Sequence, residues 1–371
     1  MTLPILTSRS RMMMFAPHPD DESLAAGVFL QRAVAAGAQV RVVYATDGEK
    51  NCWPQRVLER KVRLRERDRR RWGARRQAEA IAALSVLNIH PHQVEFLSLP
   101  DQGVTDLLLE GCDQTMRRLA DLIAGWQPTH LLVPSPADTH PDHSGLAVLL
   151  RIVFDRFLPR RHDIARLEYL VHGDSESFDQ VAARLLHTRG ERELKRRAIV
   201  RHFTQVALSR RRFLAYAKRP ERFVWAKNQF ACASDGPIHF FSRDRRAVRL
   251  QVAFTLKPLR AEETTLYLVG NDAFDGLRRL RTTLPGRSSK LDLIDCEKGD
   301  IAGVGRYQGD AFRAQISLPM NGFALDSPIY VKLDRRVWFF DEAGWLEIGA
   351  ALPGATSRRP QPAALRELAV A

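Results

Sequence analysis

Two short segments of the chain gather residues able to hold a metal ion and move a proton: Pro17-His18-Pro19-Asp20-Asp21-Glu22 and Asp138-Thr139-His140-Pro141-Asp142-His143. Each sets imidazole beside carboxylate. Nitrogen and oxygen donors of this kind suit a catalytic Zn2+, which takes three protein ligands and keeps a position for water, and similar donor sets accept Fe2+. An isolated histidine is more often a surface residue or a hydrogen-bonded core residue than a ligand. Two clusters of matching composition argue further, because of the elements that must carry them.

The first cluster follows Met12 to Ala16, an apolar run expected as a strand, and precedes a helix expected from Leu24 to Ala36 and stopped at Gly37. Val40 to Thr46 reads as a second buried strand. A helix from about Arg75 to Leu87 leads to a third strand near Val94 to Leu97, and Met116 to Trp126 leads to a fourth at His130 to Val133. The second cluster follows that fourth strand. Strand and helix alternate, and the strands are apolar throughout, which predicts a Rossmann-like three-layer α/β sandwich with a mostly parallel sheet. In such a sheet ligands bind at the carboxyl ends of the strands, where both clusters fall. A long helical stretch from about Glu191 to Tyr216 follows. From roughly Phe230 to Ile348 short β-type runs recur between turn signals, as expected of a smaller β-sandwich. With 371 residues to organise, two domains are expected: 1–228 catalytic, 229–352 β-sandwich, and a flexible tail at 353–371.

Placed on these elements, the residues resemble the PIG-L or LmbE-like deacetylases, a family that removes acetyl groups from N-acetylglucosamine-containing compounds. His18-Pro-Asp-Asp-Glu22 resembles the family's first signature and His140-Pro-Asp-His143 its second. Weaker marks follow in the family's order over roughly residues 10–225: Thr46-Asp47-Gly48-Glu49, Arg76-x-x-Glu79-Ala80, Leu99-Pro100-Asp101, and Lys195-x-x-Ala198-x-x-x-His202-x-Thr204-Gln205. The resemblance implies metal ligands at His18, Asp21 and His143, and a general base at Asp20. It implies that His140, cationic and oriented by Asp142, polarises the acetyl carbonyl or serves as an acid, and that Arg76 and Asp101 contact substrate. The implied reaction is hydrolysis of the acetamide of an N-acetylated amino sugar by zinc-activated water; the basic charge near the site adds a phosphate-, nucleotide- or lipid-linked form of that sugar as an expectation. Thr204 stands where the family often has Ser, and simple members lack a C-terminal β domain.

Composition bounds these readings. Hydrophobic residues make up 45% and charged residues 27% of the chain, a globular balance that excludes a disordered protein. Cys52, Cys112, Cys232 and Cys296 are scattered, so neither a disulfide framework nor a cysteine zinc knuckle is indicated, and a reducing cytoplasm is expected. No apolar run is long enough to span a bilayer, which leaves peripheral contact as the only membrane association expected. The net charge of +14 attracts anions. It also raises a rival, a metal-dependent phosphoesterase or nuclease, which is weaker because such cleavage commonly uses two metals and no second carboxylate set has clear spacing. Nucleic acid is accordingly not the expected partner. Arg56 to Arg76 concentrates the charge. It reads either as a lid using Arg63, Arg67 and Arg70 on an anionic substrate, or as a solvated helix face or flexible insert, the commoner use of a charge run. Trp53 and Trp72 flank it, available to stack on a sugar or to pack against the domain.

Overall fold

The computed structural model describes residues 2–159, 163–173, 176–226, 236–254, 264–274, 276–320, 322–337 and 339–351. The expected tail at 353–371, Cys232 and the start of the β runs near Phe230 lie outside these residues. In chain order the first part comprises β1 (Arg11–Ala16), α1 (Asp21–Ala35), β2 (Gln39–Thr46), α2 (Cys52–Glu59), α3 (Glu66–Val86), β3 (Val94–Leu99), α4 (Val104–Glu110) and α5 (Asp113–Trp126). It continues through β4 (His130–Pro134), α6 (Pro141–Phe157), β5 (Ala165–Tyr169), α7 (Glu176–Val181), β6 (Ala183–Leu185), α8 (Arg189–Arg201), α9 (Phe203–Ala215) and β7 (Glu221–Trp225).

The sheet order β3-β2-β1-β4-β5-β7-β6 explains why β1 is apolar throughout. Met12, Met14 and Ala16 pack on one face among α1 residues such as Leu24 and Val28. Met13 and Phe15 pack on the other with Leu146 and Leu149 of α6. The pairings from β3 to β5 are parallel, and β7 alone runs against the other strands, pairing antiparallel with β5 and with β6. Strand order turns back at β1, with β2 on one side and β4 on the other, so the crevice beyond their carboxyl ends is a topological switch point.

The arginine-rich run is helical except at residues 60–65. It forms α2 and the start of α3, which begins at Glu66 instead of near Arg75 because interspersed acids take up the guanidinium charge. Arg70 pairs with Glu66, Arg71 with Glu59 and Asp68, and Arg75 with Glu79. The expected single helix from Glu191 to Tyr216 is two, broken at His202, whose backbone (φ −76°, ψ 61°) is not helical. The break turns the His202 ring inward to Glu22, 2.8 Å away.

The second part comprises β8 (Ile238–Arg243), β9 (Ala247–Ala253), β10 (Thr265–Asn271), β11 (Leu277–Thr283), β12 (Ser289–Asp295) and β13 (Ile301–Gly309). It ends with β14 (Arg313–Pro319), β15 (Ile329–Asp334), β16 (Arg336–Val337), β17 (Phe340–Asp341) and β18 (Leu346–Ile348). It is one antiparallel nine-stranded sheet, order β18-β15-β10-β11-β12-β13-β14-β9-β8, with β16 and β17 as a separate ribbon. The sheet folds over its own apolar core until β18 approaches β8.

This sheet shares a core with the α/β part: Val269, Tyr330 and Trp345 join Phe15, Leu131 and Leu149 in one cluster. A buried ion network adds to it, Arg151 of α6 pairing with both Glu168 of β5 and Glu347 of β18. Arg151→Ala would leave Glu168, 1% exposed, without its paired cation and with only the Ser135 hydroxyl at 3.4 Å. The expected loss is about 3–5 kcal/mol, read as a lowered urea midpoint. A midpoint unchanged from wild type would show that the network does not hold the two parts together.

Candidate metal centre

Both clusters sit where a strand end meets a helix start. Thr46 Oγ1 donates to Pro17 O at 3.0 Å, tying the loop after β1 to the end of β2. Asp20 caps α1 with φ at 140°, a conformation that costs a non-glycine residue about 1–3 kcal/mol and clusters at functional sites. The surroundings hold it there. Glu22 Oε2 accepts from Asp20 N at 3.0 Å, and Arg76 donates to Pro19 O and Gly48 O, both at 2.8 Å. Gly48 (φ +64°) is needed for this approach, since a Cβ there would lie 1.7 Å from Arg76 Nη1. On the other side His140 caps α6, and Pro141 takes the first helical position, where its missing N–H costs nothing.

The structure brings His18, Asp21 and His143 together through three donor atoms. His18 Nδ1 lies 3.2 Å from His143 Nε2 and 3.5 Å from Asp21 Oδ2, and His143 Nε2 lies 3.2 Å from Asp21 Oδ2. Tetrahedral coordination at about 2.0–2.1 Å would set ligand atoms roughly 3.3 Å apart, so this triangle fits a zinc-sized ion. The remote ring nitrogens fit as well. His18 Nε2 meets Asp142 Oδ2 at 3.1 Å and Asp101 Oδ1 at 3.2 Å, and His143 Nδ1 meets Asp138 Oδ2 at 3.1 Å. A carboxylate on the far nitrogen fixes the tautomer and orientation of a metal-binding histidine.

Asp142 does not orient His140 with its side chain, as expected from the sequence. Its carboxylate turns to His18 and accepts from Gln102 N and Val104 N, because α6 points its first turn back into the loop after β3. Only the backbone N–H of Asp142 reaches His140, donating to Nδ1 at 3.2 Å. That leaves the His140 proton on Nε2. The expected cationic form is corrected too: burial, reinforced by His18, His143 and His172, holds the His140 pKa well below the ordinary value. His140 therefore offers a neutral N–H donor.

His172, just after β5, was not singled out from the sequence. Its ring lies 4.8 Å from that of His143 and 5.5 Å from that of His140, and burial, eased by Asp138, leaves its pKa at about 4. No local motif marks it; only the pairing of β5 with β4 carries it into the site. Asp138 also does more than its motif shows. It accepts from His140 N, Val171 N and His172 N, joining the second cluster to the end of β5.

The remaining groups line a cleft of about 460 Å³ that reaches His18, Asp20, Asp21, Arg76, Asp101 and His140. Burial raises the Asp20 carboxyl to about 6 against the pull of Arg76, whose Nη2 lies 3.4 Å from Asp20 Oδ2. Trp53 and Phe339 stand at the cleft, whereas Trp72 is wholly buried in the core. Arg63, Arg67 and Arg70 are exposed and are absent from its lining.

Protonation of the His143 ring competes with coordination. Burial opposes it, but Asp21 and Asp138 raise His143 to about 9, so near neutrality Nε2 must lose a proton before it can coordinate. Zinc binding is therefore expected to release protons and to tighten as pH rises from 6 toward 9. Calorimetry in buffers of different ionisation enthalpy measures this; pH-independent affinity with no proton release would exclude His143 as a ligand.

Fold and site together define a class, an open α/β protein with a cluster of nitrogen and oxygen donors able to hold a metal ion at the switch point of its sheet. Residues 13–154 match the family described as PIG-L: GlcNAc-PI de-N-acetylase. Among solved structures it is similar to the N,N'-diacetylchitobiose deacetylase of Pyrococcus horikoshii (19% identity, 58% of this chain and 83% of that one, TM-score 0.45). It is also similar to the zinc-inhibited form of a teicoplanin deacetylase (16% identity, 59% and 100%, TM-score 0.43). A third similar structure is the 4-carboxy-2-hydroxymuconate hydratase of Pseudomonas putida (21% identity, 56% and 83%, TM-score 0.42). No curated protein matches the chain.

Proposed function

We propose that the protein is a metal-dependent N-deacetylase that removes the acetyl group from an N-acetylglucosamine-type amino sugar in a glycoconjugate. The observation that carries this reading is the His18, Asp21 and His143 donor triangle with Asp20 beside it; the match of residues 13–154 to the PIG-L family supports it. Zn2+ is the ion proposed, with Fe2+ as the alternative the same donors admit. When bound, such an ion makes water a nucleophile near neutral pH and polarises a carbonyl oxygen.

The chain's own residues supply the rest. Asp20, its carboxyl buried and raised, accepts the proton of the attacking water. Arg76, fixed by the backbone carbonyls of Pro19 and Gly48, keeps that carboxylate from turning away. His140 donates from Nε2 to the oxygen that gains negative charge, and needs no cationic form to do so. The amine then leaves with the proton Asp20 has held. Asp101 combines its expected substrate contact with a second task, since it also braces His18.

The rival phosphoesterase reading finds little support in the geometry. A second ion beside Asp101 and Asp142 would need the far nitrogen of His18, and both oxygens of Asp142 already accept backbone hydrogen bonds. The test is to assay zinc-loaded protein for acetate release from N-acetylglucosamine conjugates and for cleavage of phosphodiesters and DNA. Acetate release alone is expected; phosphodiester cleavage alone would reverse the assignment.

A further inference from the structure

Past His172 and Phe340 the cleft continues into a second cavity of about 340 Å³, and the two share Leu24, His172, Arg212 and Phe340 in their linings. We infer that this second cavity is the subsite for an anionic group on the substrate, a carboxylate or a phosphate monoester, with Arg212 and Arg219 as its cations. The inference rests on the deacetylase reading, which places the acetamide at the metal end.

Four cationic residues line the cavity, and they fall into two kinds. Lys195 is committed to buried Glu221 at 2.6 Å, and Arg222 to Asp179. Arg212 and Arg219 have no carboxylate partner among the described residues. Both bear electrostatically on Tyr216 between them. Arg219 lies 5.8 Å from its ring centre, and the Tyr216 hydroxyl is anchored on Val171 O at 2.9 Å. The two ends of the cleft are therefore unlike. Carboxylates of Asp20, Asp21 and Asp101 line the metal end, while uncommitted guanidinium groups line the other, a gradient that orients a substrate charged at one end only.

The β16–β17 ribbon of the C-terminal part supplies the wall between the two ends. The Phe340 ring stands 5.1 Å from that of His172 and 5.8 Å from that of His140. Its ribbon is pinned to the loop of the second cluster, Asp341 N donating to Thr139 O at 2.7 Å and Trp345 N to Pro136 O at 2.8 Å. A buried pair of Lys332 with Asp341 at 2.5 Å holds the same ribbon from behind. The added β part thus shapes which substrates reach the arginines.

Both arginines are exposed on the cavity rim, so Gln can replace them without emptying the core. The experiment compares acetate release from methyl N-acetylglucosaminide, an O-carboxymethyl N-acetylglucosaminide and N-acetylglucosamine 1-phosphate at moderate ionic strength. Wild type is set against Arg212→Gln/Arg219→Gln and against Arg67→Gln/Arg70→Gln, a control that removes the same charge from α3. The ratio of kcat/KM for charged over neutral substrate is expected to fall about ten- to one-hundredfold in the first variant, through KM, and to hold in the control. The carboxylate and phosphate arms tell which anion the subsite takes. An unchanged ratio, or an equal fall in both variants, overturns the subsite. If no compound releases acetate, the deacetylase reading fails instead. The subsite is then judged by calorimetric binding of N-acetylglucosamine 1-phosphate, where equal affinity in wild type and Arg212→Gln/Arg219→Gln overturns it and a tenfold or greater loss upholds it.

Discussion

Replacing His18, Asp21 or His143 with Ala is expected to leave the protein folded but without stoichiometric zinc, and acetate release should fall to background. Each substitution removes one corner of a triangle whose sides are 3.2, 3.2 and 3.5 Å, and two remaining donors do not hold zinc tightly. The three variants differ in what they leave behind. Without His18, Asp101 and Asp142 lose the imidazole they share. Without His143, Asp138 keeps its contacts to the backbone of His140, Val171 and His172. His18→Ala is therefore expected to disturb the cleft more widely, and His143→Ala to be the cleaner test. Elemental analysis with circular dichroism separates metal loss from unfolding. Full zinc content in any folded variant would remove that residue from the ligand set.

The second large effect is expected from Asp20→Asn, which should keep zinc yet lose about 100- to 10,000-fold in turnover, the usual contribution of a general base. Asn has the shape of Asp and tolerates positive φ better than most residues, so the strained turn at φ 140° should survive. What it cannot do is accept the proton. The pH profile of the wild type adds a check. Burial raises Asp20 to about 6, and the base is active only when ionised, so kcat/KM should fall as pH drops through the Asp20 pKa. A bound dication would move that fall to lower pH. Turnover of Asp20→Asn within a fewfold of wild type, with metal retained, would place the base elsewhere.

Much of this site was legible in the sequence because its parts are local. The β1 run Met12 to Ala16 is apolar at every position since both its faces are covered, and that continuity marks a central parallel strand. The clusters directly after β1 and β4 then fall at the same end of the sheet by topology alone. What was hidden depends on contacts distant along the chain. His172 belongs to no motif, and Phe340 reaches the cleft through contacts distant along the chain, among them backbone hydrogen bonds to the loop at Pro136 and Thr139. The neutral state of His140 follows from three neighbouring imidazoles and burial, which spacing does not reveal. The earlier start of α3 at Glu66 was missed for another reason. An arginine run reads as exposed or flexible until the partners of each guanidinium are known. The division at residues 228 and 229 remains a proposal, since Val269, Tyr330 and Trp345 share their core with the α/β part.

Acetyl removal is proposed to depend on an ion held by the donor triangle. The most direct test strips the protein with a chelator, returns zinc in measured steps, and follows acetate release from an N-acetylglucosamine conjugate at each step. No release is expected from the stripped protein, with activity that rises linearly to a plateau at one zinc per chain and no such recovery in His143→Ala. Full activity in the stripped protein, or recovery in His143→Ala equal to wild type, would contradict it.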